Sequence, residues 1–210
     1  MKVLLFAGHS MMNGGKQIDG TKISEHIVTS RIAYTVDRLC HPFVSYMPTP
    51  RGLITPSEYL DWRIGLANSK HYEGVVDLHY NSITDEDVSS VISFYSSNSK
   101  GGSILAACLG NSVYEAVRPL VPMRPPIVTD DVGRYSQHSR LAFLAKTRPW
   151  ACVLELGFFT HPWTANLVKQ YISCKTVDGA DYGAHVVFGI ADGLLDFLRI
   201  LSSGEHDELV

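Results

Sequence analysis

Charge is scarce in this sequence. Acidic and basic residues make up 19% of its 210 positions, against roughly 25% in an average soluble protein. The net charge is −3, so the basic footprint that neutralises nucleic-acid phosphates is missing and no nucleic-acid partner is expected. No run approaches the ~20 consecutive apolar residues that span a bilayer, so no membrane insertion is expected. The apolar opening Met1–Phe6 gives way to Gly8-His9. It is too short for a signal-peptide core and has no cleavage site, which suggests synthesis in the cytoplasm without a signal peptide. The four cysteines, Cys40, Cys108, Cys152 and Cys174, lie far apart with no CxxC pair. They read as free thiols in a reducing compartment and as small buried hydrophobes, not as a disulfide framework or a thiolate zinc site. Repeats and low-complexity tracts are also missing. The Pro-rich stretches Met47–Pro50 and Pro119–Pro126 are too short for interdomain linkers and read as surface loops.

What is present is a 45% apolar chain, enough to bury a core as one domain spanning residues 1–210, with its body at about 2–201. Apolar runs alternate with helical periods. Lys2–Phe6, Phe43–Met47, Gly74–His79, Ser90–Tyr95 and Ala151–Leu156 read as strands. The stretch from about Ser24 to Leu39 reads as a helix with Ile27, Val28, Ile32, Val36 and Leu39 on one face. Thr55-Pro56-Ser57-Glu58 predicts a helix start with Thr at the N-cap, Pro at N1 and Glu at N3, running to about Ser69. Further helices are expected over Ser103–Val117, from Pro162 to near Ile172, and over Tyr182–Leu201, while Leu141–Leu144 is ambiguous by period. Gly204–Val210 is polar and expected to fray. This alternation predicts an α/β fold in which ligands sit at the carboxyl ends of the strands.

Three strand ends carry chemistry: His9, His79-Tyr80-Asn81 and Glu155. A fourth group, Glu25, opens the first helix. Two imidazoles and a carboxylate suit zinc and leave a fourth tetrahedral position for water. A further carboxylate that does not touch the ion can then move the water's proton to a leaving amine. His9, Glu25 and His79 are the candidate metal ligands and Glu155 the candidate proton carrier. Each has a plain alternative. His9 can be a loop histidine, His79 a hydrogen-bonded core histidine, and Glu25 a complement to the helix dipole. Glu155 is harder to explain that way, because an acid inside Cys152-Val153-Leu154-Glu155-Leu156 costs several kcal/mol if buried unpaired. Among the other histidines of the nine, His161 and His138 are candidates for a substrate-facing or supporting role, together with Asn81. His26, beside Glu25, is expected to point elsewhere on its helix.

In this order the elements resemble a known family. Gly8-His9 resembles the first zinc element of the type-3 N-acetylmuramoyl-L-alanine amidases, and Ser24-Glu25 before a helix resembles their metal-binding Glu. Arg63-Ile64-Gly65-Leu66-Ala67-Asn68 looks like their Arg-x-x-x-Ala-Asn helix. Asp77-Leu78-His79-Tyr80-Asn81 is similar to their Ser-x-His-x-Asn element, and Val153–Phe158 to the strand that ends in the catalytic Glu. The resemblance runs from Val3 to Leu198. There are departures: Phe6-Ala7 precede Gly8-His9 where Asp-Pro is usual, Ser10 follows it in place of Gly, and Asp77 stands where Ser is common. Pro149 lies one residue further from Glu155 than the usual Pro, and His161 replaces a common Asn.

The resemblance implies a three-layer, twisted, mainly parallel sheet with helices on both faces. It also implies a zinc-dependent hydrolase that cuts the amide between N-acetylmuramic acid and L-alanine in bacterial peptidoglycan. With no signal peptide and no separate wall-binding domain seen, a phage endolysin acting on the wall after release is expected, as a monomer. Two alternatives stay open: a zinc carboxypeptidase or peptidase acting on wall peptides, and a non-catalytic peptidoglycan-binding domain.

Overall fold

Strand β1 (Val3–Ala7) is apolar without alternation because both of its faces are buried. Val3 and Leu5 pack into one hydrophobic cluster and Leu4 and Phe6 into another, on opposite sides of the sheet. The computed structural model describes residues 1–53, 55–83, 89–130, 141–173 and 182–204. Along the chain, β1 is followed by α1 (Glu25–Cys40), β2 (Val44–Tyr46), α2 (Pro56–Ser69), β3 (Gly74–Asn81) and β4 (Ile92–Tyr95). Then come α3 (Lys100–Val117), β5 (Ile127–Asp130), α4 (Ala142–Lys146), β6 (Trp150–Phe158), α5 (Pro162–Ile172) and α6 (Tyr182–Ser203).

The strands form one sheet in the order β2-β1-β3-β6-β4-β5. Strands β2, β1, β3 and β6 run parallel, β4 is antiparallel to β6, and β5 is parallel to β4. The larger core lies between one sheet face and α1, α3, α5 and α6, with Ile32, Leu109, Val168 and Ile190 among its members. The smaller core lies on the other face, where Ile64 and Ala67 of α2 and Phe143 and Leu144 of α4 cover Phe6, Val75 and Val153. The three-layer α/β expectation therefore holds, as a mixed sheet whose parallel part carries the strand ends of interest. No described helix is long and apolar enough to cross a membrane.

Several elements differ from the sequence reading. In α1 the buried residues are Glu25, His26, Val28, Thr29, Ile32, Ala33, Val36 and Cys40, while Ile27 and Leu39 are exposed. Helix α3 begins at Lys100, with the Ser99 hydroxyl accepting from the Gly102 N–H, so Gly101-Gly102 lie inside the helix rather than before it. Gly101 is required because a Cβ there would run into the Trp150 ring. Strand β5 was not foreseen, since it is a short edge strand without apolar alternation, directly after Pro125-Pro126. The ambiguous Leu141–Leu144 stretch contributes to a five-residue helix, α4. The capping box at Thr55 and Glu58 is present as expected. Cys40 and Cys152 are buried free thiols and Cys108 is half-buried and free; Cys174 lies outside the described residues.

Candidate active site

His9 sits two residues beyond β1, in a left-handed turn with φ of 63°. The turn is held on all sides. The Gly8 N–H donates to the Leu78 carbonyl at 2.7 Å. The Gly8 carbonyl accepts from His26 Nδ1 at 2.9 Å, and His26 Nε2 lies 3.3 Å from the Ser30 hydroxyl. Burial lowers the His26 pKa below its ordinary value. A neutral ring with Nδ1–H donating and Nε2 accepting satisfies both contacts. His26 therefore does not point away, as its position in sequence suggested. It braces the His9 turn, and no local pattern signals this role. Gly8 has no room for a side chain, because a Cβ would lie 2.6 Å from His79 Nδ1.

Glu25 is the first residue of α1, after the Ser24 N-cap, and is buried. Its Oε2 lies 3.0 Å from His9 Nε2 and its Oε1 2.7 Å from His79 Nδ1. Oε1 also accepts from the Tyr80 N–H at 3.2 Å, and Oε2 from the Lys16 N–H at 3.4 Å. Burial alone would raise the Glu25 pKa, but the bonds to His79 and His9 outweigh it and bring it down to about 2. His79 is flanked by two carboxylates, since its Nε2 lies 3.1 Å from Asp77 Oδ2. Burial opposes the charged ring, yet Asp77 and Glu25 hold its pKa well above 6.5.

Asp77 and Arg63 form a buried ion pair, with Arg63 Nη1 2.5 Å from each carboxylate oxygen. Their exposures are 3% and 2%. Burial pushes the Asp77 pKa up, but Arg63, with His79 beside it, brings it to about 2. Tyr59, one turn before Arg63 on α2, places its hydroxyl 3.3 Å from His9 Nδ1. Asn68, further along the same helix, donates to the Lys146 carbonyl at 2.9 Å and accepts from the Arg148 N–H at 2.7 Å, fixing α2 to the approach to β6. Thus the Arg and Asn of the Arg-x-x-x-Ala-Asn segment tie helix to strand and helix to loop.

Glu155 lies on β6 directly opposite His79 on β3. The residue is partly exposed, but its Oε2 is buried and has no hydrogen-bond partner among the described residues. Burial raises the Glu155 pKa to about 8; His79 opposes this, and the charges of Glu25 and Asp77 add to it. The folded-state value lies above the ordinary 4.5, so the unfolded chain releases this proton first. Folding then loses up to ~1.4 kcal/mol per pH unit between about 4.5 and 8. A Glu155→Gln variant should therefore be more thermostable than the parent in the presence of chelator at pH 7–8, with the margin closing toward pH 4.5. Thermal melts across that range check this, and a margin that does not change with pH would contradict it.

The remaining candidates sit at the edge. Asn81 Oδ1 accepts from the Ser82 N–H at 2.7 Å, and its carbonyl accepts from Phe159, where the β3–β6 register shifts. His161 is the N-cap of α5, with its side chain accepting from the Thr164 N–H. His138 lies outside the described residues.

The donor set fits one small cation. One ligand atom each from His9, Glu25 and His79 lies within 4.8 Å of the others, and among the described residues this is the group arranged so. Nitrogen and oxygen bonds of ~2.0–2.1 Å to a tetrahedral ion place donors about 3.3 Å apart, so only small side-chain shifts are needed. Gly15 closes the other side of the set. At its φ of +74° a Cβ would lie 2.6 Å from Glu25 Oε2. Gly15→Ala should cost about 1–2 kcal/mol in backbone strain and displace the Glu25 carboxylate. Melting curves and metal titration of the variant would show both losses, and unchanged metal uptake would contradict the crowding argument.

The family model described as N-acetylmuramoyl-L-alanine amidase matches residues 3–184. The fold is similar to the CwlD amidase of Clostridioides difficile, solved in complex with the GerS lipoprotein, at 15% identity and a TM-score of 0.76, covering 95% of this chain and 98% of that one. It is similar to the catalytic domain of CwlV, an N-acetylmuramoyl-L-alanine amidase of Bacillus (Paenibacillus) polymyxa, at 18% identity and a TM-score of 0.68, covering 95% and 99%. It is also similar to the catalytic domain of the CD27L endolysin, which targets Clostridia difficile, at 18% identity and a TM-score of 0.67, covering 93% and 97%. None of the curated proteins matches the chain.

Proposed function

Since the chain belongs to the N-acetylmuramoyl-L-alanine amidase family, we propose that it uses zinc, held by His9, Glu25 and His79, to hydrolyse the amide between the lactyl group of N-acetylmuramic acid and L-alanine of the stem peptide in peptidoglycan. The observation that carries this reading is the His9–Glu25–His79 set beside a buried carboxyl oxygen on Glu155 that has no partner among the described residues. When bound, zinc lowers the pKa of a water toward about 7 and polarises a carbonyl. The protein's own groups do the rest. Glu25 is held ionised, and the two imidazoles are fixed by contacts on their far nitrogens. The raised pKa makes Glu155 a stronger base in its ionised form, able to take a proton from water, and the resulting carboxylic acid can then give that proton to the departing alanine amine. Among the described residues its Oε2 makes no hydrogen bond that this transfer would have to break.

Digestion of purified peptidoglycan tests the bond. Whole stem peptides with a new N-terminal alanine and no new reducing sugar ends are expected, and chelation should stop their release. Release of single C-terminal amino acids would replace the amidase reading with a carboxypeptidase, and activity that survives complete metal removal would end the zinc assignment. We further propose lysis of a bacterial host as the setting; the likeness to the CD27L endolysin catalytic domain supports it. Added protein should then clear cells whose walls are exposed, and failure to do so with active enzyme would remove that setting.

A further inference from the structure

On the reading that His9, Glu25 and His79 hold one ion, we infer that helix α2, which supplies no ligand itself, sets the orientation of both imidazoles through Tyr59 and through the Arg63–Asp77 pair. A neutral imidazole offers a lone pair from one nitrogen only, and the partner of the other nitrogen decides which. His9 faces Glu25 with Nε2 and Tyr59 with Nδ1. His79 faces Glu25 with Nδ1 and Asp77 with Nε2. The two rings thus present opposite nitrogens to the same carboxylate, and each far nitrogen leads back to α2. A carboxylate only accepts, so Asp77 requires a proton on His79 Nε2 and leaves Nδ1 free to bind the ion.

Asp77 is itself set from α2. Arg63 Nη1 bonds both of its oxygens, and Arg63 Nε donates to the Tyr59 carbonyl at 3.4 Å. The guanidinium lies over the Tyr59 ring, 4.8 Å from its centroid. Tyr59 and Arg63 are therefore one unit, a turn apart on the buried face of α2, which otherwise consists of Ile64 and Ala67. The helix is held at both ends, by the Thr55–Glu58 capping box and by Asn68. A fully buried arginine beside an apolar cluster is costly unless paired. Its presence here is explained by the carboxylate it holds against His79. Tyr59, Arg63 and Asp77 are positioning residues, since they reach the ion only through the imidazoles.

The test is the Zn2+ affinity of protein stripped of metal, measured by competition with a chromophoric chelator, with the Co2+ visible spectrum as a second readout. Asp77→Asn should weaken binding about 10–100-fold, because its amide turns a donor toward either Arg63 or His79. Tyr59→Phe removes one neutral hydrogen bond and should weaken binding about 2–10-fold. The double change Arg63→Met with Asp77→Leu replaces the ion pair by apolar groups and should keep the fold, yet bind at least tenfold more weakly with an altered Co2+ spectrum. A purely structural role predicts normal affinity in that folded double variant. If the unmodified protein binds one equivalent and all three variants bind within twofold of it, the assignment to α2 is overturned while the ion reading stands. If the unmodified protein binds no Zn2+, the ion reading fails and the assignment falls with it.

Discussion

Replacing Glu155 with Gln is expected to lower the rate of stem-peptide release from peptidoglycan by about 10²–10⁴-fold, the usual contribution of a positioned general acid–base group. Gln has nearly the same shape and cannot take or give the proton. The His9, Glu25 and His79 side chains are bonded to one another and to the backbone around them, and none of these bonds involves Glu155. Zinc uptake by the variant should therefore match that of the parent. Rate and metal content measured on the same preparation separate the two effects. A Glu155→Gln variant with near-normal turnover would remove Glu155 from the chemistry, and one that fails to load zinc would place it among the ligands. The same substitution is the one expected to stabilise the fold above pH 4.5, so loss of activity would come with a gain in melting temperature.

Replacing Arg63 alone with Met should be the most damaging single change away from the reacting groups. It leaves the Asp77 carboxylate, 3% exposed, without its cation. Removing one member of a buried pair costs about 3–5 kcal/mol, or a fall of roughly 6–20 °C in melting temperature for a chain of this size. The pH dependence has a defined sign. Asp77 is depressed to about 2 from its ordinary 3.8, so the stability it contributes is present above pH 3.8 and lost as pH falls toward 2. The deficit of Arg63→Met should therefore be full at neutral pH and narrow below pH 4. Calorimetry at pH 7 and pH 3 checks this. A variant that melts within about 2 °C of the parent at pH 7 would show that the pair contributes little.

The strands were legible where burial is two-sided. Lys2–Phe6, Gly74–His79 and Ala151–Leu156 read as near-continuous apolar runs, broken chiefly by Asp77 and Glu155, and they correspond to the inner strands β1, β3 and β6. Edge strand β5 lacks that pattern because none of its four residues is fully buried. The α2 start was legible because a capping box is local, made by residues three apart. Glu155 drew attention as an acid in an apolar run, and the structure shows its Oε2 buried without a partner among the described residues. His26 and Tyr59 gave no such signal, since a buried histidine and a buried tyrosine on helices look like ordinary core residues.

The sequence by itself determined the alternation of strands and helices, the helix starts that rest on short-range bonds, and the residue types available at the strand ends. These depend on periodicity and on contacts within a few positions. Only the tertiary structure decided that His9, Glu25 and His79 meet, although 54 residues separate Glu25 from His79. The parallel register of β1, β3 and β6 brings their carboxyl ends together, and the start of α1 folds over them. It also decided that Arg63 pairs with Asp77 and Tyr59 reaches His9. Buried polar groups find partners in space, and nothing in the spacing of a chain states which ones they will be.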